Sequence, residues 1–180
     1  MATGIKQVLD YDDYAAIPSD GKRYELIGGD VDVTPVPSPR HQWASKKLRR
    51  QLEDYFETRG LGRVFNAPID VILTPHDIVQ PDLVVVTDEA QISARGIEGA
   101  PALLVEVLSP STESYDRATK ARRYAALGVP HLWLLDPQRQ RLECLRLEAS
   151  TCEPLTVRGE DVLAHPDWPG LTVRLGDLWM

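Results

Sequence analysis

Cysteine is scarce in this sequence: Cys144 and Cys152 are the two among 180 residues. Two thiols cannot build a disulfide scaffold or a four-thiolate zinc centre. They read as free thiols of a reducing compartment, so a cytoplasmic location is the expectation. Long apolar runs are missing as well. No stretch approaches the ~18 residues of a membrane span. The start, Met1-Ala2-Thr3-Gly4-Ile5-Lys6, lacks the apolar core of a secretory signal. Positive charge is in deficit: 20 basic against 27 acidic residues leave a formal charge of −7. That argues against coating nucleic acid by bulk charge, yet it permits an enzyme that touches nucleic acid locally. The four histidines (His41, His76, His131 and His165) are widely spaced, which lowers the odds of a dedicated zinc motif. There is no internal repeat and no low-complexity tract.

What is present suits a folded soluble protein. Hydrophobic residues make up 43% and charged residues 26%, a balance that rules out a disordered chain. The length fits one domain over residues 1–180, with 1–20 as a polar peripheral segment carrying a short helix near Tyr11 to Ala16. Gly28-Gly29 lies between two short strand-like segments within Arg23 to Val33 and reads as a hairpin turn. Pro35, Pro37 and Pro39 make a stiff connector. A helix is predicted over about 40–58, because Ala44, Leu48, Leu52, Tyr55 and Phe56 recur at helical spacing.

Three strands are expected next: Arg63 to Ala67, Ile69 to Leu73 and Leu83 to Thr87. The near-continuous apolar run over 101–108 reads as a central strand covered on both faces. A second helix is predicted over about 113–127, with Ser111 or Thr112 as its cap and Gly128 as its C-terminal stop. Further strands are expected at Pro130 to Leu135, Arg141 to Leu147, 154–158 and 171–175. Hairpin, helix, strands, helix, strands give an α/β fold: a mixed sheet flanked by helices.

Glu106 is the most informative residue. It sits inside the apolar strand among Leu104, Val105, Val107 and Leu108, where an ionised carboxylate is costly unless it is paired or bound to metal. A strand-end carboxylate opening to solvent, or an arginine pair, would also satisfy it. Asp82 enters Leu83-Val84-Val85-Val86 in the same way, although Pro-Asp also suits a turn. Two carboxylates on two strands that could lie side by side, without clustered Cys or His, suit a hard cation such as Mg²⁺ or Mn²⁺. Asp116, Lys120 and Tyr124 share one helix face. Lys120 then either makes a surface pair with Asp116 or reaches over the sheet to orient a water or stabilise phosphate charge.

The order Pro81-Asp82, then Glu106-Val107-Leu108, resembles the PD-(D/E)xK nuclease superfamily. Longer segments are similar to the Uma-type restriction endonuclease family: Gln80 to Val86, Val105 to Thr112, Asp116 to Lys120, Tyr124, and Gly128 to Pro137. Arg23 to Gly29 and Pro37 to His41 match its N-terminal segments. The likeness runs from about residue 10 to the C-terminus and implies a restriction-endonuclease-like fold.

It implies Asp82 and Glu106 as metal-binding acids for Mg²⁺ or Mn²⁺, with the Val107 backbone carbonyl as a further ligand. The superfamily's lysine usually stands two places after the acid, where this chain has Leu108. The family pattern transfers that role to Lys120. Glu25 and His41 match positions that extend the site. Glu25 would reach a metal through water, or merely be a hairpin partner. His41 would touch phosphate, or merely begin its helix. The implied activity is metal-dependent hydrolysis of DNA phosphodiesters by a homodimer.

Basic residues cluster at Arg40, Lys46, Lys47, Arg49 and Arg50, and again at Arg117, Lys120, Arg122 and Arg123. They are either solvated helix faces or guides for a phosphate backbone. No base-reading module is evident. Leu108 and the negative charge also fit a catalytically silent binding module on a nuclease fold. A serine hydrolase using Ser109 is disfavoured, because the segment lacks a Gly-x-Ser-x-Gly elbow. Trp133, Trp168 and Trp179 are either core residues or anchors for a partner.

Overall fold

The computed structural model describes residues 8–147 and 153–180, so Cys152 lies outside the described residues. Helix α1 (Tyr11–Ala15) begins at Asp10, whose carboxylate accepts from the amides of Asp12 and Asp13, and Asp13 reciprocates. Strands β1 (Arg23–Ile27) and β2 (Asp30–Thr34) form the expected hairpin. Gly28 and Gly29 turn it with φ of 60° and 82°, a region that glycine enters at little cost. After the prolines, α2 (Pro39–Phe56) starts where Ser38 Oγ accepts from the His41 amide. Proline at its first position costs the helix no hydrogen bond. Its buried stripe is Ala44, Leu48, Leu52, Tyr55 and Phe56, the five residues that the spacing singles out.

There follow β3 (Arg63–Asn66), β4 (Val71–Thr74), β5 (Asp77–Val79), β6 (Leu83–Val86), β7 (Ile97–Glu98) and β8 (Leu103–Val107). The second helical region is broken into three. A single turn, α3 (Glu113–Tyr115), leads into a π-helical turn at Asp116–Lys120 and then α4 (Ala121–Ala126). Thr112 precedes it without a side-chain capping bond, and Gly128 ends it at φ 81°. The chain closes with β9 (His131–Asp136), β10 (Arg141–Arg146), β11 (Leu155–Arg158), β12 (Val162–Ala164) and β13 (Thr172–Arg174). No helix among the described residues is long and apolar enough to cross a membrane.

The strands form three sheets rather than one. The main sheet runs β11-β10-β9-β8-β6-β3. It is antiparallel except for β8 and β9, which pair in parallel across the α3–α4 crossover. A second sheet, β2-β1-β5-β4-β7, brings the N-terminal hairpin onto β5. The third is the β12–β13 pair. Strand β5 escapes the sequence pattern because its three residues begin with Asp77, which resembles a turn and is in fact fully buried.

Both faces of β8 are covered, as its apolar run demands. Leu103, Val105 and Val107 pack in the cluster that includes the α2 stripe. Leu104 and Leu108 pack with Ala121 and Tyr124 of α4. Alternation therefore turns Glu106 toward α4, where it is 5% exposed. Trp133 is fully buried, and Trp168 and Trp179 pack against the same core, so these tryptophans are used in packing.

Candidate active site

A cleft of about 680 Å³ opens where the two larger sheets meet the start of α2 and the π turn. Glu25, His41, Asp82, Glu106, Val107 and Lys120 all line it. The six residues that the family resemblance points to are thus present in one cavity.

Lys120 stands among carboxylates. Its Nζ lies 2.8 Å from Glu25 Oε2, 3.1 Å from Glu106 Oε1 and 3.8 Å from Asp116 Oδ1. The pair with Asp116 is therefore not a surface pair: both side chains are about 95% buried. The π turn places them so. Such widened turns recur at functional sites, and this one puts Asp116 and Lys120 beside Tyr124, whose hydroxyl donates to Glu106 Oε1 at 2.8 Å. Burial opposes the Lys120 charge. The carboxylates of Glu106, Glu25 and Asp116 outweigh that cost and hold its pKa above the ordinary lysine range. Lys120 is thus held as a cation whose Nζ donates to Glu106 Oε1.

Glu106 experiences the opposite pressure. Its pKa is pushed up to about 8, chiefly by burial. Lys120 pulls it down, while Asp116, Glu25 and Asp82 push it further up. Asp116 is raised too, again chiefly by burial. The Lys120 ammonium thus faces three buried carboxyl groups, those of Glu25, Glu106 and Asp116.

Asp82 is held differently. Its Oδ2 accepts from the Val107 amide at 2.8 Å and lies 3.2 Å from His41 Nε2. Its Oδ1 has no hydrogen-bond partner among the described residues, and neither does Glu106 Oε2. Each acid thus keeps one oxygen uncommitted. Glu25 is 1% exposed, and its Oε1 accepts from the Gln80 amide at 2.7 Å. Arg23 in turn grips Gln80, donating to its carbonyl at 2.5 Å and to its side-chain oxygen at 3.3 Å.

Three contributors were not given a role from the sequence. Tyr124 buttresses Glu106, a role that its i, i+4, i+8 spacing with Asp116 and Lys120 hints at. Gln80 anchors Glu25 through its backbone, which no side-chain pattern reveals. Asp77 accepts two bonds of 2.6 Å from Arg123, with further bonds from Thr74 Oγ1 and the Gly28 amide. Although burial opposes its charge, these bonds hold the Asp77 pKa below the usual carboxylate range. The clamp fastens the β1–β2 turn to α4 and thereby sets Glu25 against Lys120.

The basic residues near the π turn and α4 are mostly committed. Arg117 pairs with Glu113 and Glu143, and Arg123 with Asp77. Another cluster, His131, His165 and Asp167, has ligand-type atoms within 4.8 Å of one another. Its carboxylate is already engaged: Arg146 makes a two-pronged pair with Asp167, and the Asp167 amide donates to His165 Nδ1. With Trp168 and Trp133 stacked around it, this cluster joins β9 to the β12–β13 region.

Comparison with known proteins bears on the family and the fold. Residues 11–176 match the model of the Uma2 family, described as "putative restriction endonuclease". An uncharacterized protein of Synechocystis, slr1290, is 32% identical over 107 residues, which are 59% of this chain and 52% of that protein. The match thus spans about half the length of this curated relative. Among solved structures, a crystal structure described as a "putative nuclease belonging to DUF820" from Anabaena variabilis superposes with a TM-score of 0.76. That superposition covers 94% of this chain and 97% of the other at 19% identity, and it shows a shared fold. With the family match spanning nearly all of the sequence, the chain belongs to the Uma2 family.

Proposed function

We propose that this protein is a metal-dependent endonuclease that hydrolyses DNA phosphodiester bonds in the cleft around Asp82, Glu106 and Lys120. One observation carries the reading. A buried ammonium stands among the carboxyl groups of Glu25, Glu106 and Asp116, and Asp82 and Glu106 each retain an oxygen free to bind a hard cation. All-oxygen donors of this kind fit Mg²⁺ or Mn²⁺. Asp82 and Glu106 would hold the ion, with the Val107 carbonyl as a further ligand. When bound, it would supply charge neutralisation at the phosphate and acidify a coordinated water.

The chain's own residues do the rest. Lys120, kept protonated by its acids, donates a hydrogen bond to the attacking water or a phosphate oxygen. Glu25 and Asp116 fix that ammonium in place. Tyr124 holds one oxygen of Glu106 and so directs the other. The Val107 amide and His41 orient Asp82. Phosphoryl transfer asks the protein mainly for such positioning and electrostatics. Leu108, in place of the usual motif lysine, is compatible with this scheme, because Lys120 reaches the same acid from the π turn. A homodimer would present two such sites and permit both strands to be cut. Light scattering should then give the mass of two chains, and a monomer would contradict the dimer.

The test is a labelled DNA duplex incubated with Mg²⁺ or Mn²⁺. Glu106→Gln should abolish hydrolysis while leaving the thermal unfolding profile intact. Full activity in the folded variant would sink the assignment. A silent binding module is the competing reading, and calorimetric titration with Mn²⁺ separates the two. Binding that is lost in Asp82→Ala supports the enzyme; no Mn²⁺ binding by the wild type supports the module.

A further inference from the structure

A second cavity, of about 240 Å³, opens directly off the first. The two share Arg23, Pro37, His41 and Asp82 in their walls. From Asp82 it runs along one face of α2, lined by Gln42, Ser45, Lys46 and Arg49, with Asn66 at the end of β3 opposite. Positions 42, 45, 46 and 49 follow helical spacing, so this is a continuous polar stripe alongside the buried one.

Its chemistry is that of a phosphate track. It offers an ammonium, two guanidinium groups, a hydroxyl and two amides. The carboxylate in its wall is Asp82, at the junction with the catalytic cleft. Lys46 is exposed and has no carboxylate partner among the described residues; its Nζ lies 5.9 Å from the centre of the Trp43 ring. Arg49 reaches Asn66 across the groove and Glu53 along the helix. Near the π turn and α4, Arg117 and Arg123 are held in ion pairs and the exposed Arg122 lines neither cavity, whereas Lys46 faces the groove unpaired among the described residues and Arg49 reaches across it while pairing with Glu53. In a chain of net charge −7, this local concentration of cations beside the acidic site marks one direction of approach.

Building on the nuclease reading, we infer that the DNA strand being cut lies in this groove. Lys46 and Arg49 hold the phosphates that flank the scissile one on the α2 side. The main cleft is walled in addition by residues 33–36 and 109–112. The strand would run on from the groove past Asp82 into that cleft, which is what cutting at internal bonds requires.

The experiment compares wild type, Lys46→Glu, Lys46→Arg and Arg122→Glu, the last being an exposed cation on α4 outside the groove. A labelled 30-base-pair duplex is titrated in Ca²⁺ across a salt series, and cleavage is followed in Mn²⁺. Lys46→Glu should weaken binding about tenfold and lower the log–log salt slope by about 1. It should raise KM more than it lowers kcat. Lys46→Arg should restore binding, and Arg122→Glu should match wild type. Active wild type with Lys46→Glu equal to it in affinity and slope would overturn the groove and leave the nuclease reading standing. Equal losses in Lys46→Glu and Arg122→Glu would also overturn it, because the effect would then be bulk charge. A wild type that neither binds nor cleaves DNA would overturn both.

Discussion

Lys120 Nζ lies closer to Glu25 Oε2, at 2.8 Å, than to Glu106 Oε1, at 3.1 Å. The lysine is therefore suspended between the N-terminal hairpin and the central strand, and its position depends on both. Removing the hairpin partner should loosen the ammonium without emptying the pocket of charge. Glu25→Gln is expected to lower kcat about tenfold or more, with KM little changed, because orientation rather than binding is lost. Steady-state kinetics on a plasmid substrate check this. An unchanged kcat would reduce Glu25 to a structural residue.

Tyr124→Phe removes one hydroxyl from a fully buried ring and leaves its packing volume in place. Glu106 then loses the bond that directs its free oxygen. Groups that orient a metal ligand typically contribute about 10- to 100-fold in affinity or activity. Mn²⁺ affinity should fall within that range while the fold persists. Calorimetric titration beside a thermal melt decides it; an unaltered Mn²⁺ affinity would remove Tyr124 from the site.

Asp77→Ala tests the clamp that fixes the geometry. It would leave the Arg123 guanidinium, the Thr74 hydroxyl and the Gly28 amide without their acceptor. Breaking a buried pair costs about 3–5 kcal/mol. Arg123 is 39% exposed, so solvent recovers part of that, and a loss of about 2–3 kcal/mol is expected. Urea denaturation measures it. A change under about 0.5 kcal/mol, the usual size for a neutral surface site, would contradict the role.

His165 gives the stability a pH dependence of known sign. Burial, reinforced by His131, lowers its pKa from 6.5 to about 4 in the folded protein. Between those values the unfolded chain takes up a proton that the folded one refuses. Stability is therefore fully present above about 6.5 and lost as the pH falls toward about 4. The urea midpoint should drop between pH 7 and pH 5, and His165→Gln should flatten that drop. An identical drop in the variant would assign it to other groups.

Much of this arrangement was legible from the sequence, for identifiable reasons. The α2 stripe and the Gly28-Gly29 turn rest on local periodicity and local backbone freedom, which a sequence displays directly. Glu106 stood out because a carboxylate in an apolar strand demands a partner. Asp77 left no such mark: its partners are Arg123, Thr74 and Gly28, brought together only when the second sheet forms. The π turn is equally silent, since the spacing of Asp116, Lys120 and Tyr124 reads as ordinary helix. Likewise, nothing local distinguishes Arg117 and Arg123, bound in ion pairs, from Lys46, which faces the groove.

The most direct measurement is conversion of supercoiled plasmid in Mg²⁺ or Mn²⁺ by wild type and by a folded Asp82→Ala, Glu106→Ala double variant. Nicking or linearisation by the wild type, absent without metal and absent in the double variant, is the predicted result. Cleavage that persists in the double variant, or that proceeds in a metal chelator, would contradict the account.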